Sequence, residues 1–176
     1  PPECSTGDFF QGSLVLNDLS DETAIRFSLP GKPEAFPSPY VVRFNATKRH
    51  DRVTVVRTLG QMLIVGLENS IERVNYLPRE VNTSLTDGLA HEPVATDHGI
   101  PGPLCAATID FPGKGIMLVY VSSAGIFITN GIWTLPLNQD LDWVNTVKLS
   151  ALSTAILRVY PKEKWLALYY CPAGAT

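Results

Sequence analysis

The chain has 176 residues, of which 45% are hydrophobic, and its formal net charge is -3 at pH 7. This composition is sufficient for one domain with a substantial core, and the charge pattern lacks the basic face that nucleic-acid binding requires. No apolar run approaches the roughly 20 residues of a membrane-spanning helix, and Pro1-Pro2-Glu3-Cys4 has no signal-peptide pattern. We therefore expect no transmembrane segment and no nucleic-acid partner.

Short apolar runs rich in β-branched residues alternate with turns rich in Gly, Pro, Asn and Asp, which predicts β-strands and almost no helix. The predicted strands, in chain order, are 13–17, 23–28, 40–45, 53–58, 62–66, 71–74, 104–110, 116–121, 125–129, 154–160 and 165–170. A Pro-dense loop is predicted at 29–39, and a long loop at 78–103. Only the stretch 137–153 could form a helix, and because of its run 138–143 we interpret it as an inter-blade connection.

One sequence pattern recurs along the chain: an apolar run, a Gly-containing turn and a second apolar run. The middle strands of the three copies begin at Met62, Met117 and Trp165. A period of about 40–50 residues with about four short strands per unit is typical of β-propeller blades. The expected fold class is therefore all-β, with about three and a half four-stranded antiparallel blades in an incomplete ring. All 176 residues belong to one propeller domain, with approximate blades 10–50, 51–100, 101–150 and an incomplete 151–176.

Closed propellers have roughly four to eight blades, so this number of blades cannot close a ring. An open arc would leave strand edges and an apolar blade face uncovered, which promotes aggregation. An initiator Met is also missing, so we expect a processed chain or a piece of a longer one. The expected partners are protein subunits of the same assembly, meaning the rest of the propeller or neighbouring chains, in a homo-oligomer.

Motifs that carry catalysis are absent: there is no Gly-x-Ser-x-Gly elbow, no phosphate-binding Gly-rich loop and no dinucleotide fingerprint. The three histidines, His50, His91 and His98, lie in polar contexts that predict solvated loop residues. The spacing of His91 and His98 matches no compact metal-ligand motif. We predict no enzyme activity, no catalytic, cofactor-binding or metal-binding residue, and no cofactor.

An acidic cluster at Asp18, Ser20, Asp21 and Glu22 offers carboxylate oxygens, but it lacks the residue order of a calcium-binding EF-hand loop. We interpret it as an Asx-type turn. Of the three cysteines, Cys105 is expected to pack as a small hydrophobic residue. A disulfide that uses Cys4 or Cys171 stays open, as does the use of the glycosylation triplets at 45–47 and 82–84.

Most aromatic residues lie inside predicted strands and are expected to pack the blades. These are Tyr120, Phe127, Trp133, Trp165, Tyr169 and Tyr170. Trp143 is the exception, because it lies in a connection beside Asp140 and Asp142. There an exposed indole could stack on a sugar ring.

Two segments resemble propellers carried by tailed-phage virions. The run from Ala24 to Pro37 resembles the "strand, Ser, x-Pro-Gly-x-Pro-Glu, aromatic" segment of phage tail, hub and nozzle proteins, and the blade from Asp51 to Val74 is similar to theirs. The resemblance implies a structural, non-enzymatic role in a tail or portal-proximal assembly, with symmetric copies around an axis. It also implies location in the virion, with an extracellular location as the alternative.

The rival interpretation is a lectin or sialidase-like propeller that binds a glycan near its axis. The run 121–127 is similar to the Ser-x-Asp-x-Gly turn of sialidase-like propellers, but Ala124 stands in place of the Asp. Such a site requires convergent charged residues at the strands near the axis. The candidates alternate within strands and are interpreted as solvent-facing; they are Arg26, Arg43, Arg57, Arg73, Asp110 and Arg158.

Overall fold

The computed structural model describes residues 1–44, 51–76, 89–138, 141–163 and 165–174. The strands are β1 (Gly7–Phe10), β2 (Ser13–Asn17), β3 (Ala24–Phe27), β4 (Val41–Arg43), β5 (Val53–Leu59), β6 (Met62–Leu67), β7 (Ile71–Tyr76), β8 (Leu89–Ala95), β9 (Ala106–Phe111), β10 (Gly115–Ser122), β11 (Gly125–Thr129), β12 (Thr134–Pro136), β13 (Ile156–Tyr160) and β14 (Trp165–Tyr169). A short helix α1 (Trp143–Thr146) and a 3-10 helix (Leu149–Thr154) precede β13.

The strands form four antiparallel sheets that follow one another along the chain. Three sheets have four strands each, in the orders β1-β2-β3-β4, β5-β6-β7-β8 and β9-β10-β11-β12, and the fourth pairs β13 with β14. Each is a simple meander, since every strand pairs with its neighbours in sequence. The expectation of an all-β chain built from four-stranded antiparallel sheets is confirmed.

Tight hairpins join the first two strands of the sheets. Gln11 and Gly12 both have positive φ, 50° and 79°, between the paired residues Phe10 and Ser13. This is the geometry of a type I′ turn, whose twist matches that of the flanking strands. A non-glycine residue such as Gln11 rarely adopts a positive φ. We attribute its conformation to the pairing of β1 with β2 on either side of the turn.

All eleven predicted strands are confirmed, with ends that differ by one or two residues. The long loop predicted at 78–103 is wrong for its second half, because β8 (Leu89–Ala95) pairs with β7 there; residues 77–88 lie outside the described ranges. β1 and β12 were also not predicted. All three missed strands lie at sheet edges and are short or rich in residues that strands disfavour, such as Gly, Asp, Glu and Pro.

The second sheet packs on both sides. From one of its faces, Leu63, Val65 and Leu67 of β6 join a buried cluster with Val15 and Phe27 of the first sheet. From the other face, Ile64 joins a second cluster with the third sheet, the helical connection and the fourth sheet. Alternation of side chains along β6 therefore places the sheets face to face in chain order.

The first strands of the first two sheets, β1 and β5, lie side by side and run in the same direction. Val56 N donates to Thr6 Oγ1 (3.4 Å), Thr58 N donates to Asp8 Oδ2 (2.8 Å), and Gln11 contacts Gln61 at the hairpin tips. Further along, Leu157 N donates to Leu104 O (2.9 Å), beside β9 and β13. Contacts thus join β1 to β5, and β9 to β13.

The connection before β13 corrects the interpretation of Trp143. Asp142 caps α1, where its side chain accepts from Asn145 N, and Trp143 itself is only 5% exposed. The indole belongs to the buried cluster of the second to fourth sheets. Sugar stacking on an exposed Trp143 is therefore wrong.

Within the described residues, neither helix has the length or apolarity to cross a membrane.

Candidate functional site

A shallow groove follows the first strands of the sheets; we call it the first-strand groove. One part, about 440 Å³, lies beside β1 and is lined by Ser5, Thr6, Gly7, Arg57, Pro103 and Leu104. A second part, about 310 Å³, continues along β9 and β13 and is lined by Arg57, Leu104, Ala106, Ala107, Thr108, Ile156, Leu157, Arg158 and Val159. Arg57 and Leu104 line both parts, so the two form one surface.

Arg57 is held in place by the strands around it. Its Nη1 donates to the backbone carbonyl of Val56 (2.7 Å) and lies 3.3 Å from Thr6 Oγ1. Thr6 is itself buried at the start of the first sheet. A partly buried guanidinium is thus fixed at the centre of the groove, with Nε and Nη2 without a protein acceptor in the described parts of the chain.

The charged strand residues considered above as candidates for a glycan site include five arginines, and these divide into two groups. Arg26 pairs with Asp18, Arg43 with Asp21, and Arg73 with Glu92, each within its own sheet. Arg57 and Arg158, by contrast, line the same groove, so the expectation that the charged candidates do not converge is wrong for these two. Asp110 is exposed and is absent from that lining.

The acidic cluster forms an Asx turn, as predicted. Asp18 Oδ1 accepts from the backbone N (2.9 Å) and the hydroxyl (2.5 Å) of Ser20, and Arg26 Nε donates to Oδ2 (2.5 Å). Burial alone would raise the pKa of the Asp18 carboxyl, but these bonds outweigh it and lower the pKa to about 2. Both oxygens are therefore occupied by internal donors.

The prediction of solvated loop histidines is wrong for His98. Its ring is 8% exposed, stacks on Phe127 at 4.2 Å, and places Nε2 2.8 Å from Tyr120 Oη. Nδ1 lies 2.8 Å from Asp97 Oδ1, so that Nδ1–H donates to this carboxylate and Nε2 faces the Tyr120 hydroxyl. Burial raises the pKa of Tyr120. This Asp-His-Tyr chain joins the end of the second sheet to the third, and its hydroxyl is inaccessible.

Of the other two histidines, the structure describes only His91. His91 lies in β8 rather than in a loop; its side chain is exposed, 3.5 Å from Glu72. His50 and the glycosylation triplets lie outside the described residues. In the parts of the chain that the structure describes, no group of three or more His, Cys, Asp or Glu side chains is close enough to hold a metal ion.

The three cysteines are unpaired. Cys105 is fully buried in the core beside Leu152 O, as expected for a small hydrophobic residue, and burial raises the pKa of its thiol to about 11. Cys4 is exposed and Cys171 half-buried.

The prediction that the strand aromatics pack the sheets is wrong at the fourth sheet. Trp165 and Tyr169 of β14 are 49% and 54% exposed, and Tyr160 stacks on Trp165 with ring centroids 4.2 Å apart. We call these three residues the aromatic face. Leu166 and Leu168, on the opposite side of β14, pack against the core.

Neither the shared groove of Arg57 and Arg158 nor the burial of His98 was predicted from the sequence. A signal existed for the first, because both arginines occupy the first strands of repeats, Arg57 in β5 of the second sheet and Arg158 in β13 of the fourth. For His98, the only signal was the apolar residue Ile100 close behind it, which is itself fully buried.

No protein-family model matches this chain, and no curated protein matches its sequence.

Proposed function

We propose that this chain is a β-propeller segment with a structural, protein-binding role in a larger assembly, of the kind found in phage tails or nozzles. The proposal carries no catalytic step and no cofactor. Its partners are subunits of the same assembly, including further copies of the chain, and its expected location is the virion, with an extracellular location as the alternative.

The order of the sheets supports the propeller arrangement. Successive meanders that pack face to face, with β1 beside β5 and β9 beside β13, are what neighbouring propeller blades require. Three four-stranded sheets and one two-stranded sheet are fewer than the roughly four complete blades of the smallest closed ring. Other protein must then cover the ends of the stack.

The observation that carries the proposal is the aromatic face of the fourth sheet. Three rings there lie on one side of β13 and β14, together with Ile156, Arg158 and Ala167, and about half the surface of Trp165 and Tyr169 is exposed. Aromatic residues are enriched at the centres of protein interfaces, where they contribute much of the binding energy. A face of this kind at the end of a stack is suited to contact another subunit.

The virion assignment is supported by the resemblance of the Pro-Gly-x-Pro-Glu loop and the blade that follows it. Residues 31–34 of this loop are exposed beyond the first sheet, with Gly31 at φ 71°. In an assembly with copies around an axis, such a loop is placed to contact a neighbour.

Light scattering tests the proposal. The expected result is an assembly mass that is a multiple of 19.2 kDa, or one that includes partner subunits, and Trp165→Ser should shift it toward smaller species. The matched control is Leu137→Ser, which removes an exposed apolar side chain outside the fourth sheet. A wild-type chain that stays a soluble 19.2 kDa monomer at all concentrations would contradict the proposal.

A second candidate function, glycan binding, is favoured by one observation. Arg57 and Arg158 line one groove along the first strands, where a propeller lectin would place its ligand. Acidic sugars are the glycans that two arginines would recognise.

A further inference from the structure

We propose that the first-strand groove binds an acidic, extended segment of a partner protein, with Arg57 and Arg158 as its two anchoring cations. This inference rests on the proposed function, because it specifies the chemistry of one partner contact.

The charge balance within the fold supports an acidic occupant. Among the described arginines, Arg26, Arg43, Arg52 and Arg73 each pair with a carboxylate of this chain. Arg57 and Arg158 have no such pair in the described ranges, and both line the same groove. Two uncompensated cations on one concave surface attract a ligand that carries carboxylates.

The two cations differ in how they are held. Arg57 is half-buried and fixed through Nη1, so its remaining N–H groups are oriented before a ligand arrives. Arg158 is exposed on β13, on the same side of the fourth sheet as Tyr160 and Trp165, and no hydrogen bond to it is seen within the described residues. A preorganised donor loses less conformational entropy on binding, so Arg57 should be the stronger anchor.

The rest of the lining favours a peptide over a sugar. The lining also includes the aliphatic residues Leu104, Ile156 and Val159, with Leu104 51% exposed. Such a surface can cover the apolar side chains of a peptide, whereas it would leave sugar hydroxyls without hydrogen-bond partners. The groove also runs along β9 and β13, which suits an extended chain with acidic and apolar residues in alternation.

Fluorescence anisotropy with a labelled peptide of alternating leucine and glutamate tests the inference. We expect this peptide to bind at low salt and the corresponding glutamine peptide to bind about tenfold more weakly. Arg57→Gln should weaken binding of the glutamate peptide about tenfold and Arg158→Gln about fivefold. Arg43→Gln, the charge-matched control on β4, should leave affinity unchanged.

A second variant separates binding from folding. Arg57→Lys keeps the charge but loses the planar fork of donors, so its affinity should lie between those of wild type and Arg57→Gln, with an unchanged circular dichroism spectrum. If Arg57→Gln weakens binding but the affinity of Arg57→Lys does not lie between those of wild type and Arg57→Gln, a directed contact from Arg57 is contradicted.

Three results would overturn the inference: no binding of the glutamate peptide, equal affinity for the glutamine peptide, or equal losses with Arg43→Gln. Arginine-dependent binding of sialyllactose without peptide binding would replace it with the glycan function. A large assembly by light scattering together with an unoccupied groove would reject this inference alone and leave the proposed function intact.

Discussion

At the scale of single residues, Asp18 shows how a carboxylate can be buried and remain ionised. Its side chain is 1% exposed, and donors from Ser20 and Arg26 compensate for the lost hydration. The charge is therefore a structural element of the turn between β2 and β3.

Asp18→Asn should lower the free energy of unfolding at pH 7 by about 1 to 2 kcal/mol, because the charged hydrogen bonds to Ser20 and Arg26 are weakened. The pKa of Asp18 is lowered on folding, so its contribution is fully present above pH 3.8 and is lost as pH falls toward about 2. Urea unfolding across this range measures it. A difference between wild type and variant that stays constant from pH 7 to pH 2 would contradict the account.

Tyr120→Phe should lower the free energy of unfolding by about 1 to 3 kcal/mol, because it leaves buried Nε2 of His98 without its hydrogen-bond partner. Tyr160→Phe is the matched control, since that hydroxyl contacts only Tyr169 Oη, at an exposed site. Urea unfolding of both variants gives the comparison. Equal losses in the two would show that the buried hydrogen bond has no special weight.

At the scale of elements, the connection between the third and fourth sheets depends on Trp143. Truncation to Ala should lower the free energy of unfolding by about 3 to 5 kcal/mol, as expected for a large buried ring. Trp143→Phe should cost less, because it keeps apolar volume and removes an indole N–H that has no partner among the described residues.

Trp165→Ala provides the control for this measurement, since its ring is 49% exposed. Chemical denaturation under conditions that keep the chain monomeric should place its loss well below that of Trp143→Ala. Similar losses would mean that Trp143 does not anchor the connection.

The sequence predicts the interior strands better than the edges. β6 and β10 carry continuous apolar runs because sheets cover both of their faces, and such runs can be recognised without knowledge of their neighbours. β8 contains His91, Glu92 and Pro93 and becomes a strand only because β7 pairs with it. The same holds for the candidate site: each arginine can be read from its strand, whereas their shared groove depends on how the sheets pack.

At the scale of the whole molecule, the stack of sheets ends differently on its two sides. The outer side of the first sheet carries the ion pairs Arg26–Asp18 and Arg43–Asp21, while the fourth sheet carries the aromatic face. Exposure of an aromatic surface to water is unfavourable, so a partner that buries this surface gains binding free energy. The proposed assembly role follows from this asymmetry and from the small number of complete sheets.

Cryo-electron microscopy of the native assembly tests the central claim most directly. The account predicts a closed ring of radiating sheets in which β1, β5, β9 and β13 surround the axis and other protein covers Tyr160, Trp165 and Tyr169. A map in which this chain stands alone, with its aromatic face in solvent and no further sheet beside β14, would contradict it.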